Sequence, residues 1–242
     1  MNNQRKTAIV TGASQGIGAG IVNRFVQEGF NVVANSRKIT KSTEVAASDQ
    51  VALVDGHIGE PATAARIVET ALSRFASIDV LVNNAGIFFT KPFTEYTAED
   101  LKALVSTNLE GFLYVTQLSI KRMLEQKTGG SIVTITAALA RNPIRGVTAS
   151  VPMITKGGLE TITQHLAMEY AKDNIRVNAV APGVVDTPLH QDTPQSVMEG
   201  LSPMGRPSSV EDIADAVMYL IDAATVTGNI LNVDGGAHFG RW

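Results

Sequence analysis

The chain has 242 residues, of which 44% are hydrophobic and 18% charged, with a formal net charge of −3 at pH 7. That is ordinary globular composition, which excludes a disordered or collagen-like chain, and an isoelectric point near 5.8 without a basic cluster argues against nucleic acid as a partner. No apolar run approaches the roughly 18 residues a membrane span needs, and the absence of cysteine removes disulfides, thiolate zinc sites and cysteine nucleophiles.

In chain order, Thr7 to Val10 reads as a buried strand that enters the glycine-rich run Thr11-Gly-Ala-Ser-Gln-Gly-Ile-Gly18. Ile17, Ile21, Val22, Phe25 and Val26 then recur at helical spacing, and Gly29 closes the pattern. Asn31 to Ala34, Val51 to Val54 and Val80 to Val82 read as the second, third and fourth strands, with helical patterns at about 61–76 and 98–126. Ile132 to Ile135 forms a fifth strand, about 152–172 a helix and Val177 to Val180 a sixth strand. A helix near 210–222 precedes a last strand around Ile230 to Val233. This alternation predicts an α/β fold of βαβ units, a parallel sheet covered on both faces, in a single domain over 1–242. The proline-dotted stretch from Pro182 to Pro207 follows the end of a strand and reads as a lid or binding loop. The start, Met1 to Lys6, is too short for a signal-peptide core, so a soluble, cytoplasmic protein is expected.

The first turn carries the earliest chemical signal. Glycines at 12, 16 and 18 between a strand and a helix let the backbone turn tightly and approach a pyrophosphate, which faces the helix N–H groups and the positive end of the dipole. Where many dinucleotide-binding folds place a carboxylate for the ribose 2′-hydroxyl, the second strand here ends in Asn35-Ser-Arg-Lys38. Two cations and no carboxylate suit a 2′-phosphate, so the expected cofactor is NADP(H), with Arg37 making the main contact and Ser36 and Lys38 in support.

With these residues stand Asn83-Asn-Ala-Gly86, Asn108, Lys156-Gly-Gly158, the run Ile175-Arg-Val-Asn-Ala-Val-Ala-Pro-Gly183 and Val233-Asp-Gly-Gly236. Together they resemble the short-chain dehydrogenase/reductase family over essentially the whole chain. The resemblance implies a Rossmann-type, doubly wound sheet of seven parallel strands in the order 3-2-1-4-5-6-7, homotetrameric assembly, and hydride transfer between a nicotinamide and a carbonyl or alcohol. It implies that Gly12, Ser14, Gly16, Ile17 and Gly18 hold the pyrophosphate, and that Asn84, Ala85 and Gly86 line the adenosine ribose side. Pro182, Gly183, Val185 and Thr187 meet the nicotinamide end, and Lys156 bonds the nicotinamide ribose. Where the family has an aspartate against the adenine, the chain has His57-Ile58, with Asp55 as a less favoured substitute.

The catalytic pattern is broken. The family's tyrosine precedes the lysine by four residues, and that position is Pro152. The family's serine falls on Ala137 by strand alignment, or on Leu139 by counting back from Pro152; neither side chain donates a hydrogen bond. Lys156 and Asn108 remain as the candidate catalytic residues. A positioned general acid contributes about 10²–10⁴-fold, or roughly 3–5.5 kcal/mol, so the loss makes the standard mechanism untenable without excluding hydride transfer.

The replacement donors considered are a water relay held by Asn108, Lys156 itself, Thr136, Thr148, Ser150, Thr155, and His190 or Asp192 in the long loop. Either Phe88, Phe89 and Phe93 wall a substrate pocket or they pack at the entrance of the long helix. His165 reads as structural, and His238 with Arg241-Trp242 as an interface candidate. No histidine–carboxylate cluster has metal-ligand spacing. The leading expectation is an NADP(H)-dependent oxidoreductase acting on a carbonyl-type small molecule. The alternative is a catalytically silent NADP(H)-binding sensor, or a subunit of a mixed oligomer.

Overall fold

The aliphatic and β-branched runs become strands β1 (Thr7–Thr11), β2 (Asn31–Ser36), β3 (Val51–Asp55), β4 (Val80–Asn83), β5 (Gly130–Ile135), β6 (Ile175–Pro182) and β7 (Ile230–Val233) in a computed structural model that describes residues 5–239. All seven pair in parallel in the order β3-β2-β1-β4-β5-β6-β7. Side chains alternate across the sheet, so each strand feeds two cores. Val10, Val82, Val133 and Val180 face one core and Ile9, Leu81, Ile132 and Val177 the other.

The first core is covered by α1 (Gly16–Gln27) and α7 (Val210–Asp222), and the second by α2 (Pro61–Phe75), α4 (Gly111–Gln126) and α5 (Ser150–Glu169). The remaining helices are α3 (Ala98–Leu104) and the short α6 (Gln195–Gly200). Local chemistry sets several starts. Thr97 and Asp100 form a capping box on α3, Ser209 and Asp212 form another on α7, and Pro61 opens α2 where a missing N–H costs nothing. The single helical pattern at 98–126 is α3, a π-helical turn over Val105–Glu110, and α4 in continuous succession.

The connection from β2 to β3, where the sequence shows no helical pattern, holds only a short 3₁₀ turn, Ile39–Lys41. Two departures from the sequence reading matter. The loop after β6 contains α6, which no clear apolar period announced. Helix α5 begins at Ser150 rather than near 152, with Pro152 accommodated in its first turn. Among the described residues no helix is long and apolar enough to cross a membrane, and no group of three or more His, Asp or Glu is placed to hold a metal ion.

Phe25 of α1 is fully buried, and its ring centroid lies 5.0 Å from that of Phe30, which leads into β2. Phe25→Ala is expected to destabilise the fold by about 3–5 kcal/mol, read as a lower denaturant midpoint with an unchanged slope.

Candidate active site

The strand order reverses between β2 and β4 around β1, which opens a crevice at the carboxyl ends of β1 and β4. There the chain leaves β1 through Gly12 (φ +64°) and Gly16 (φ +55°), left-handed angles that suit glycine. A Cβ at Gly18 would lie 2.2 Å from the Gly12 carbonyl oxygen, so only glycine lets α1 close on the turn. The turn is tied to the end of β4. Asn84 Nδ2 donates to the carbonyls of Thr11 (2.9 Å) and Gly12 (3.0 Å), while the Asn84 and Ala85 N–H groups donate to Thr11 Oγ1. Asn84 therefore shapes the phosphate turn through its side chain, beyond the ribose-lining place expected for it.

From this turn a cavity of about 510 Å³ runs along the carboxyl ends of the strands. It is lined by Gly12, Gly16, Ile17 and Gly18 at one end, by Asn84, Ala85 and Gly86 in the middle, and by Lys156, Pro182, Gly183, Val185 and Thr187 beyond. The structure thus gathers twelve of the expected cofactor-side residues around one space. Ser14, Ser36, Arg37, His57 and Ile58 lie outside that lining. Ser14 offers its carbonyl to Ser42 Oγ at 2.7 Å. Arg37 is exposed at the end of β2 with no partner among the described residues.

The adenine-side expectation needs correction in its hydrogen bonding. His57 Nδ1 accepts from the Gly59 N–H at 3.1 Å, so Nε2 carries the proton and faces Thr107 Oγ1 at 3.3 Å. Both ring nitrogens are engaged inside the protein, which leaves only the ring face. Ile58 is buried in the core against Gly111. The proposed substitute, Asp55, accepts from the Thr40 hydroxyl (2.6 Å) and N–H (2.9 Å), and these bonds hold its carboxyl below the usual range.

Lys156 stands nearly two turns into α5, six residues after Ser150. Its ammonium donates to the Ile135 carbonyl at 2.8 Å, and desolvation by burial lowers its pKa to about 8. An ammonium has three donors, so two remain without partners among the described residues. Gly86 approaches closely: a Cβ there would lie 3.3 Å from Nζ. A half-buried cation with spare donors beside a glycine-rich turn fits a dinucleotide, with phosphates at the turn and ribose hydroxyls at Lys156.

Asn108 is not free to hold a relay water with its amide. It sits in the π-helical turn, 2% exposed, where Oδ1 accepts from the Ile87 N–H at 2.8 Å. Its Nδ2 donates to the Ile87 carbonyl (3.1 Å) and to Thr155 Oγ1 (2.9 Å), and Thr155 in turn donates to the Pro152 carbonyl at 2.7 Å. Asn108 thereby fixes the segment after β4 and the first turn of α5, which positions Lys156.

The other donor candidates divide clearly. The Thr136 hydroxyl donates to Glu160 Oε1 (3.1 Å) and the Val180 carbonyl (3.2 Å), so it is not a free donor. Glu160 is buried, which raises its pKa, and it pairs with Arg141 at 2.8 Å. Thr148, Ser150 and Asp192 are exposed and outside the cavity lining, Thr155 is buried in the Asn108 network, and His165 is exposed on α5. Ala137 and Leu139 both line the cavity and Pro152 does not. His190 lines it too, and burial lowers its pKa against the pull of Asp186, which keeps the ring neutral near pH 7. Phe88 is in the wall, whereas Phe89 meets Tyr96 at 5.9 Å between centroids and Phe93 is 70% exposed.

The sequence reading missed one pair. His238 lines the cavity, and its Nδ1 donates to the buried Asp234 carboxylate at 2.9 Å. The i,i+4 spacing after Val233 was the available signal, but the short 3₁₀ turn that realises it, Ala237–Phe239, was not. Arg241 and Trp242 lie outside the described residues. Lys156 is the only Lys, Arg, Asp or Glu among the residues lining the cavity, so the site beyond the cofactor end is apolar, with Asn142, His190 and His238 as polar points.

Comparison with known proteins agrees with the fold and identifies the family. Residues 12–238 match the family model described as enoyl-(acyl carrier protein) reductase. The 3beta-hydroxysteroid dehydrogenase 1 of Eggerthella lenta is 33% identical over 248 residues, covering 96% of this chain and 93% of that protein. The structure of 3-ketoacyl-(acyl-carrier-protein) reductase from Brucella melitensis complexed with NADH superimposes with a TM-score of 0.90 at 32% identity, covering 96% of this chain and 98% of that one. The structure titled ElxO with NADP bound gives a TM-score of 0.88 at 25% identity, covering 98% of this chain and 100% of that one.

The depressed lysine has a stability consequence. A lysine whose folded pKa is lowered destabilises the protein below that pKa, and the penalty fades as pH rises toward the unfolded value. Lys156→Met is expected to stabilise the free protein by about 1–3 kcal/mol near pH 7. Denaturant unfolding across pH should show that gain shrinking between pH 8 and 10.5.

Proposed function

The chain belongs to the short-chain dehydrogenase/reductase family, and from that premise we propose that it is an NADP(H)-dependent oxidoreductase that reduces a carbonyl-type small molecule without a phenolic proton donor. The observation that carries the reading is Lys156: a desolvated ammonium with two unpartnered donors, placed between a phosphate-binding turn and an apolar cavity.

A nicotinamide held along this cavity by the glycine turn and Lys156 would supply the hydride. The protein's own residues do the rest. The glycine turn, held by Asn84, offers α1 N–H groups to the diphosphate. Lys156 orients the ribose hydroxyls and, with a pKa of about 8, keeps a transferable proton at Nζ near neutral pH. Because the Asn108 amide is engaged by Ile87 and Thr155, Lys156 is favoured over an Asn108-held water as the source of that proton. Ala137, Leu139, Ile144 and Leu201 exclude water and suit an uncharged, largely apolar substrate.

NADP(H) is favoured over NAD(H) because Arg37 and Lys38 are exposed at the end of β2 and no carboxylate ends that strand before them. A homotetramer is supported by apolar side chains left exposed on α4 and α5, among them Leu113 (44%), Ile154 (59%) and Met168 (81%). The second reading, a silent NADP(H)-binding protein, is favoured by one observation. Neither side chain matched to the missing serine, Ala137 or Leu139, gives the cavity a donor.

Three measurements test this reading. Lys156→Ala should abolish NADPH consumption on a panel of ketones, diketones and quinones; undiminished turnover would refute the role. In reduction, kcat/KM should be flat below pH 8 and fall about tenfold per pH unit above it, because the donor must be protonated. Arg37→Ala should weaken NADPH by about tenfold and NADH by less than about twofold, and equal losses would remove the NADP(H) assignment.

A further inference from the structure

Without a crossover helix, the segment from β2 to β3 folds back over the start of α1. Ile39 is fully buried and Val45 is 4% exposed, so both ends of the 39–45 strap are anchored in the core. Between them Ser42 Oγ donates to the Ser14 carbonyl at 2.7 Å and accepts from the N–H groups of Glu44 (3.1 Å) and Val45 (3.2 Å). This tie presents Glu44 to the phosphate turn, where its Oε2 accepts from the Gly16 N–H at 3.3 Å.

Three features make this contact more than a surface hydrogen bond. Gly16 is the first residue of α1, and Gln15 before it supplies no side-chain cap, so the amide that Glu44 takes is an unsatisfied helix-start donor. The carboxylate stands at the positive end of the helix dipole, in the position chemistry assigns to a ligand phosphate. Glu44 also forms no ion pair among the described residues, although Lys41 lies on the same strap. Among the described residues its carboxylate makes its polar contact with the turn. On the other side Thr187 packs toward Gly16, 3.4 Å from where a Cβ would stand, so the cradle lies between the strap and the loop after β6.

We infer that Glu44 is a built-in anionic competitor for the cofactor's diphosphate, displaced when the dinucleotide binds, so that it limits dinucleotide affinity. The inference rests on the dinucleotide reading proposed above. The free protein satisfies its helix start with a carboxylate, and a diphosphate must both replace that contact and move the negative charge aside. Residual repulsion from the displaced carboxylate adds to the cost and is screened by salt.

The experiment compares wild type, Glu44→Gln and Glu44→Asp by fluorescence titration with NADPH and NADH, at about 20 mM and about 0.5 M NaCl. Glu44→Gln is expected to lower both dissociation constants by about 3–10-fold at low salt, with a smaller difference at high salt. Glu44→Asp, one methylene too short to reach Gly16, should also bind more tightly than wild type. In the ligand-free protein the Gly16 amide resonance should shift in both variants, which tests the contact apart from any cofactor. Equal dissociation constants in wild type and Glu44→Gln, beside measurable wild-type binding, would overturn the inference alone. If neither protein binds either dinucleotide, the cofactor reading falls and the inference with it.

Discussion

The site depends on one constraint: at the carboxyl end of β1 the chain must turn through left-handed glycines and be held there by the end of β4. The Asn84 amide donates to two successive carbonyls of that turn, and Thr11 Oγ1 accepts from two successive N–H groups of the β4 end. These reciprocal bonds join the two strands where the sheet order reverses. They fix where α1 begins, and therefore where its free N–H groups point. On the proposed reading a ligand phosphate would address the same feature as the Glu44 carboxylate, because α1 starts with unsatisfied donors that require an anion or water.

The second organising element is the first turn of α5. Proline at 152 is compatible with a helix start because the N–H it lacks has no intrahelical acceptor there. Its carbonyl accepts from Thr155, Thr155 accepts from Asn108, and Asn108 is bound on both sides by Ile87. This chain of buried bonds holds Lys156 in place without a tyrosine. It also keeps the ammonium in a desolvated position, which costs folding energy and lowers its pKa to about 8.

Beyond the cofactor end, the cavity's polar points belong to the loops after β5, β6 and β7: Asn142, His190 and His238. Loops at the ends of parallel strands can vary without disturbing the sheet, so on the proposed reading these loops would set substrate choice. The Asp234–His238 pair shows how: a buried carboxylate in the last turn fixes the tautomer of a ring that borders the cavity.

The sequence by itself determined the strands, the sheet order implied by the family motifs, the glycine turn and the placement of Lys156, because these are set by short-range periodicity and by backbone angles that few residues adopt. The strands β1, β2 and β7 and helix α7 lie within two residues of their expected bounds for that reason. Only the tertiary structure decided what the polar side chains do. His57, Asp55, Thr136 and Asn108 all looked available in sequence, and each is engaged by a partner distant from it or on another element. Likewise Glu44 reaches Gly16 across 28 residues, a meeting that no local pattern encodes. Backbone conformation is dictated locally, whereas a hydrogen-bond partner is chosen by which segments the packed sheet brings within about 3 Å of each other.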